Sequence, residues 1–469
     1  MATPIEIRLL APKSAVIVGE EPVLQIAHRV FAELDMETVA LNRARTVIHI
    51  QTADGGASWA LTGQDHIAFH SVHPLTEVGS RFHAPAGAEW SEPLHLLNYG
   101  AALGAGRYLV SLSYRYGETE AESVTAEPVA IEVLPAKHLS NGYRWLGGKN
   151  AHGELANLWR AETGGAARWI YQIAGRKNPG AVYSAVDVRI PADAAQFTPV
   201  LAHINDIAQF HFERYAVWAE PEALGCVLVN QEGRNREPRR YRHELTAARA
   251  VEPPLQHGNG ALVVVLVGAN KSGTACLTLA QVDEAGQCVQ TEIPLAGGVP
   301  DFAVAAWPDG KPPESGVVYW GRRGETSLHA TPLRLPARSA PIALPGALAG
   351  LSIEQWLGVG NITALIQEAA ELRTVSVPVL SPPAVTVGAT LGAAEFVDFA
   401  VAPGGANAYL LVRRPESWQV GEANVSVDNS VDHPHLVTTP TGGPWLVGFD
   451  SKRGFVVQRL APPEPPPLI

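Results

Sequence analysis

The feature that most constrains this chain is a unit of short apolar strands and tight turns, recurring about every 40–50 residues along its last two thirds. Asp301-Phe302-Ala303-Val304-Ala305-Ala306 turns at Pro308-Asp309-Gly310, returns as Gly316-Val317-Val318-Tyr319-Trp320, and is followed by a third strand over 327–333. Residues 396–402 turn at Pro403-Gly404-Gly405 and return over 408–413; residues 436–439 turn at 440–443 and return over 445–449. Residues 262–267 with 276–279, and 353–357 with 364–366, follow the same scheme less regularly. Residues 362–372 have a brief helical look but read better as a hairpin.

A small sheet that is apolar on both faces cannot bury them alone, and stacking such sheets around an axis is the stable solution. The expected fold is therefore all-β, with a β-propeller of six or seven blades over residues 140–461. Gly142-Tyr143-Arg144-Trp145-Leu146 is expected beside the last blade, closing the ring. Gly and Pro together make up about 17% of the chain against an average near 12%, as many short strands and tight turns require. The tail 462–469, Pro-Pro-Glu-Pro-Pro-Pro-Leu-Ile, cannot join a sheet and is expected as extended polyproline II or disordered chain.

Residues 1–136 read differently. Short bursts alternate apolar and polar residues, as in 23–28, 45–51, 106–114 and 128–133, which is the period of half-buried strands. Roughly seven such strands suggest a two-sheet sandwich. The glycine turn opening Ala105-Gly106-Arg107-Tyr108-Leu109-Val110-Ser111-Leu112-Ser113-Tyr114, and the closing strand around 127–134, resemble immunoglobulin-like or fibronectin-like domains. That resemblance implies a fold and no activity.

Hydrophobic residues form 46% of the 469-residue chain, charged residues only 17%, and the net charge is −11. Bulk attraction to nucleic acid or anionic membrane is not expected of such a chain. Its start lacks a basic segment followed by an apolar one, and no stretch reaches the length of a membrane span. Cys226, Cys276 and Cys288 show no paired metal or redox spacing. They read as buried free thiols and point to a reducing compartment, the cytoplasm.

Few motifs carry chemistry. Thr52-Ala53-Asp54-Gly55-Gly56-Ala57-Ser58-Trp59 resembles the Asp box of sialidase-like propellers, S/T-x-D-x-G-x-S/T-W. It is expected as a structural hairpin in which Asp54 accepts backbone and serine hydrogen bonds and Trp59 packs beneath. His66, His70, His73, His83 and His95 concentrate in the first third, but His70 and His73 would fall on opposite faces of a strand. Asp428, Asp432, His433 and His435 are expected on a solvated loop with Pro434 as its turn, the alternative being a Ca²⁺ or Zn²⁺ site. Nine of the eleven tryptophans lie after residue 140 and read as packing between blades, or as the lining of sugar pockets.

The charge anomaly is Arg234, Arg236, Arg239, Arg240 and Arg242, five arginines within nine positions beside Tyr241 and His243. Guanidinium groups in such density suit an acidic partner; a solvated edge strand kept charged against aggregation is the plainer explanation. No nucleophile elbow, P-loop, dinucleotide fingerprint or zinc-protease motif is present. The function expected is non-catalytic: a scaffold whose loops meet a protein partner, in a phage-like or other multi-protein assembly, without cofactor or metal. The alternative is a glycan-active, sialidase-like propeller enzyme or a lectin, for which carbohydrate is the ligand.

Overall fold

The computed structural model describes residues 3–36, 39, 45–62, 82–119, 121–146, 154–175, 182–191, 194, 199–204, 213–230, 237–256, 261–283, 285–308, 311–356, 359–379, 386–390, 398–401, 408–413, 418–420, 423–425, 431–438 and 444–460. The chain is all-β: among the described residues there is no α-helix, only short 3-10 turns such as Leu96–Tyr99 and Pro313–Ser315. It divides into two compact units. One comprises Met1–Leu139, Ala161–Val186 and Phe449–Val456, the other Ser140–Arg160, Asp187–Gly448 and Val457–Ile469.

The first unit contains β1 (Ile5–Leu10), β2 (Ala15–Ile17), β3 (Val23–Val30), β4 (Leu34–Met36), β5 (Thr46–Thr52), β6 (Ser58–Thr62), β7 (Phe82–Ala84), β8 (Glu89–His95), β9 (Gly106–Arg115), β10 (Ser123–Thr125) and β11 (Val129–Leu134). They form a three-stranded sheet β1-β3-β8, a larger sheet β2-β11-β9-β5-β6 with β10 beside β9, and the ribbon β4-β7. Burial follows the period of two: Ile5, Ile7 and Leu9 in β1, Ile26 and Val30 in β3, Val110, Leu112 and Tyr114 in β9. Near the start of β9 the Tyr108 hydroxyl donates to the Gly104 carbonyl at 2.9 Å, pinning the entering chain.

Seven further sheets follow along the chain among the described residues. β12 (Lys137–Leu146), β13 (Glu154–Thr163), β14 (Ala166–Gly175) and β15 (Val182–Val188) pair in that order. β16 (Val200–Leu201) and β17 (His203–Ile204) go to different sheets. β16 joins β18 (Glu213–Ala219), β19 (Ala223–Asn230) and β20 (Arg239–Arg242). The next sheet takes β21 (Thr246–Ala250), β22 (Leu255–Gln256), β23 (Leu262–Ala269), β24 (Ala275–Val282) and β25 (Cys288–Pro294), with β17 parallel to β22. Then come β26 (Phe302–Ala306), β27 (Val317–Gly321), β28 (Ser327–Pro332) and β29 (Ala340–Ala343), followed by β30 (Ala347–Trp356), β31 (Val359–Glu368), β32 (Glu371–Pro378) and β33 (Thr386–Thr390). β34 (Asp398–Val401), β35 (Ala408–Arg413), β36 (Trp418–Val420) and β37 (Ala423–Val425) make another, and β38 (Val431–Thr438), β39 (Pro444–Asp450) and β40 (Gly454–Arg459) the last.

The side chains of β23 explain how these sheets are held. Leu262, Val264 and Leu266 pack with Val217, Leu224 and Cys226 of the preceding sheet. Val263, Val265 and Val267 pack with Ala305, Val318 and Trp320 of the following one. The strand has no solvent face, so its sequence is an unbroken apolar run. The next core repeats the pattern, joining Val304, Ala306 and Tyr319 to Ile362, Ala364 and Ile366. Each buried Val or Leu contributes on the order of 1.5–3 kcal/mol, and these interleaved cores run through the second unit.

Two local expectations are corrected. Residues 142–146 belong to β12, hydrogen-bonded in one sheet with β13, and are not grouped with β38–β40. A hydrophobic pattern marks a strand but not its neighbour, and pairing with a strand close along the chain costs less entropy than a pairing across hundreds of residues. Asp432, His433 and His435 lie in β38, with Pro434 buried inside that strand rather than forming a turn. β38 ends its sheet, and an edge strand tolerates a residue that cannot donate to a ladder. The reading of 362–372 as hairpin holds: β31 and β32 pair from Asn361↔Pro378 to Glu368↔Glu371.

Candidate functional site

The arginine-rich segment ends in the edge strand β20. Its register against β19 sets Cys226 opposite Arg239, Gly225 opposite Arg240, Leu224 opposite Tyr241 and Ala223 opposite Arg242. Alternation sends Arg239 and Tyr241 to one face, Arg240 and Arg242 to the other. All three arginines are exposed, Tyr241 is half-buried and His243, just beyond, is buried.

On the first face the Arg239 guanidinium sits beside the Tyr241 phenol, a neighbour that raises the guanidinium pKa above its ordinary value. Burial pushes the Tyr241 phenol up as well. The Arg239 guanidinium lies over Gly286, whose φ of +81° favours glycine. Among the described residues no carboxylate pairs with Arg239.

On the second face Arg240 Nε donates to Glu220 Oε1 at 2.9 Å, and the same oxygen accepts the Trp218 indole N–H at 2.9 Å. Trp218 is fully buried and lies against Gly225, its partner in the β18–β19 register. Gln290 on β25 donates to the Arg242 carbonyl at 2.6 Å, tying the end of β20 to the neighbouring sheet. The buried His243 accepts the Leu245 N–H at Nδ1 (3.2 Å), so Nε2 carries the proton toward the Glu220 carbonyl at 3.0 Å. Burial accordingly holds its pKa below the ordinary value. The result is an edge strand anchored at Arg240 through Glu220 and Trp218 and at the Arg242 carbonyl through Gln290, with the three arginine side chains exposed.

Arg234 and Arg236 lie outside the described residues, as do His66, His70, His73, Asp428 and the tail 462–469. His83 pairs with Asp35 at 3.0 Å and His95 with Glu21 at 3.4 Å. His435 meets Asp398 at 3.0 Å, and that carboxylate also accepts the Leu436 and Phe399 N–H groups. Among the described residues no three His, Cys, Asp or Glu side chains converge as metal ligands. In the Asp-box-like hairpin, Asp54 accepts the Gly56 N–H at 2.9 Å. Its side-chain partner is Thr52, not a serine, and that bond is the main cause holding its pKa down. Trp59 sits edge-on to Tyr108 at 6.2 Å. Cys226 and Cys276 are buried free thiols and Cys288 is half-buried. Trp159, Trp169, Trp218, Trp307 and Trp320 are all buried packing residues.

Sequence reasoning missed Glu220, Trp218 and Gly286, the groups that seat the arginines. Trp218 at the end of β18 and Glu220 just past it, two positions apart, were the available signal; Gly286 offered none.

No protein-family model matches the chain, and no curated protein does. Among solved structures the chain is similar to a Hadza microbial sialidase, with 10% identity, a TM-score of 0.38, and 97% of this chain and 99% of that one covered. It is also similar to a prolyl endopeptidase, with 11% identity, a TM-score of 0.31 and 74% of this chain covered; it spans about half (52%) of that protein's length. At such scores neither likeness bears on what this chain does. No helix among the described residues is long and apolar enough to cross a membrane.

Proposed function

We infer that this protein is a non-catalytic binding scaffold that presents the Arg239–Arg242 strand to an acidic protein partner. The observation that carries the reading is the strand itself: three exposed arginines in four positions, the middle one, Arg240, seated through Glu220 on the buried Trp218. A merely solvated edge has no need of that support, whereas recognition does, because pre-ordered side chains lose less entropy on binding. In this reading the seven successive sheets are blades of a β-propeller over residues 140–461, supported by cores that join each sheet to the next. Residues 1–136 are an immunoglobulin-like sandwich, supported by the two sheets and the Tyr108–Gly104 bond, which has the form of a tyrosine corner. Buried free thiols suit the cytoplasm.

The test is co-purification from native extract with an R239E/R242E variant. Loss of the partner, with a melting temperature within a few degrees of the parent, is expected, because exposed substitutions rarely exceed about 0.5 kcal/mol each. Retention of the partner at physiological salt overturns the reading.

A further inference from the structure

The first unit holds a cleft of about 400 Å³ lined by Asp35, Met36, Arg45, Phe82, His83, Tyr114, Tyr116 and Glu118. That volume lies within the range of about 300–1,000 Å³ typical of small-molecule sites. Its residues come from distant parts of the chain. The ribbon β4-β7 supplies one wall, with Asp35 opposite His83 and Met36 opposite Phe82. The end of β9 and the residues after it supply Tyr114, Tyr116 and Glu118. Arg45 enters from the start of β5, its carbonyl held by the Arg115 N–H at 2.9 Å.

Two polar pairs face the cleft, one from each side. His83 Nδ1 lies 3.0 Å from Asp35 Oδ1, with both side chains largely exposed. Arg45 donates to the Gly117 carbonyl at 3.0 Å and to Glu118 at 3.2 Å, with its own side chain only 17% exposed. Between the pairs lie Met36 and Tyr114, both buried, with Phe82 and Tyr116 partly accessible.

The wall is braced from behind. Phe82 packs edge-on to Trp90 at 5.5 Å, and Trp90 stacks on the buried His28 at 4.6 Å. Glu92, 2.9 Å from His28, also accepts the Val39 N–H at 3.0 Å. An aromatic wall backed in this way is preorganised, not assembled on demand.

Charge selects the ligand. The cleft carries two carboxylates, one guanidinium and one imidazole. An anion meets Asp35 and Glu118, and a cation meets Arg45. A neutral polyhydroxyl ring uses everything present: the carboxylates and the open nitrogen of the imidazole accept from its hydroxyls, the guanidinium donates to them, and the tyrosine and phenylalanine rings cover its C–H face. We propose that this cleft binds a neutral hexose or a short neutral glycan. It is independent of the arginine strand and of any protein partner there.

The test uses the full chain, with isothermal titration or ligand-observed NMR against methyl glucoside, methyl galactoside, methyl mannoside and N-acetylglucosamine. Glucuronate and glucosamine serve as the charged counterparts. At least one neutral sugar is expected to bind about tenfold or more tightly than both charged rings, the equivalent of ~1.4 kcal/mol. D35A and Y116A should each weaken it by about tenfold, with melting temperatures unchanged. Preference for glucuronate or glucosamine, binding that survives both substitutions, or no neutral sugar bound at millimolar concentration overturns the proposal.

Discussion

Replacing Gly225 by alanine tests the seating of the arginine strand most directly. A Cβ at that position meets the Trp218 indole at 2.1 Å from Cε2, 2.3 Å from Nε1 and 2.5 Å from Cζ2. Ordinary contact begins near 3.4 Å, so the ring must shift by more than an ångström. It has nowhere to go: Trp218 is fully buried, and its N–H is committed to Glu220. Overpacking of this kind costs about 1–3 kcal/mol, and an orphaned indole N–H adds about 1–3 kcal/mol. We expect a total near 3 kcal/mol, which at about 2–4 °C per kcal/mol for a larger domain lowers the melting temperature by ~6–12 °C. Differential scanning calorimetry reads the shift, and tryptophan fluorescence reports the ring. The control is the same alanine in a W218L background, where its cost should fall below about 1 kcal/mol because the clash has gone. An unchanged melting temperature in G225A, or an equal loss in both backgrounds, refutes the argument.

Ala369 holds φ +55° in the turn between β31 and β32, a region that L-residues enter at a cost of ~1–2 kcal/mol; A369G should raise stability by ~0.5–1 kcal/mol in urea titration. The thiol pKa of Cys226 is pushed up to about 12 and that of Cys276 to about 11, burial being the largest cause of each. Burial raises the Cys288 thiol as well, but that side chain is partly exposed, so native protein at pH 8 should react with a thiol reagent at Cys288 first, and at all three after denaturation; rapid native labelling of Cys226 contradicts this. His243 is held neutral, with its folded pKa below the 6.5 of the free side chain, so its contribution is whole above that value and is lost as pH falls through the folded pKa. The drop in melting temperature from pH 7.5 to 5.5 should be smaller in H243Q than in the parent; an equal drop refutes it.

The strands were legible wherever a single physical signal ruled. Alternation in β1, β3 and β9 follows from one buried face, and the apolar run of β23 from two. Pairing was less legible, because hydropathy carries no address: residues 142–146 read correctly as strand and incorrectly as the neighbour of the last sheet. Pro434 misled for a related reason, since a proline marks a turn by default and only the position of β38 at its sheet's edge makes it tolerable in a strand. The arginines stood out by composition, yet what makes them more than a charged edge is Glu220, twenty residues before the Arg240 it holds, and Gly286 in the turn between β24 and β25. The cleft in the first unit was invisible for the same reason: Asp35, Arg45, His83 and Glu118 become neighbours only through pairing of β4 with β7 and β5 with β9.

The interleaved faces of β23 also bear on how the protein is made. A ribosome releases Leu262, Val264 and Leu266 when Val217, Leu224 and Cys226 have already emerged to receive them. It releases Val263, Val265 and Val267 some forty residues before Ala305 and Val318 exist. For that interval, several seconds at ~5–20 residues per second, the newest sheet has one face covered and one bare. The same gap opens again at Val304 and Tyr319, which wait for Ile362 and Ile366. Synthesis of this chain is thus a series of exposures, each ended by the arrival of the next sheet. A pause in translation just after residue 295 leaves an apolar surface open to chaperones or to another nascent copy.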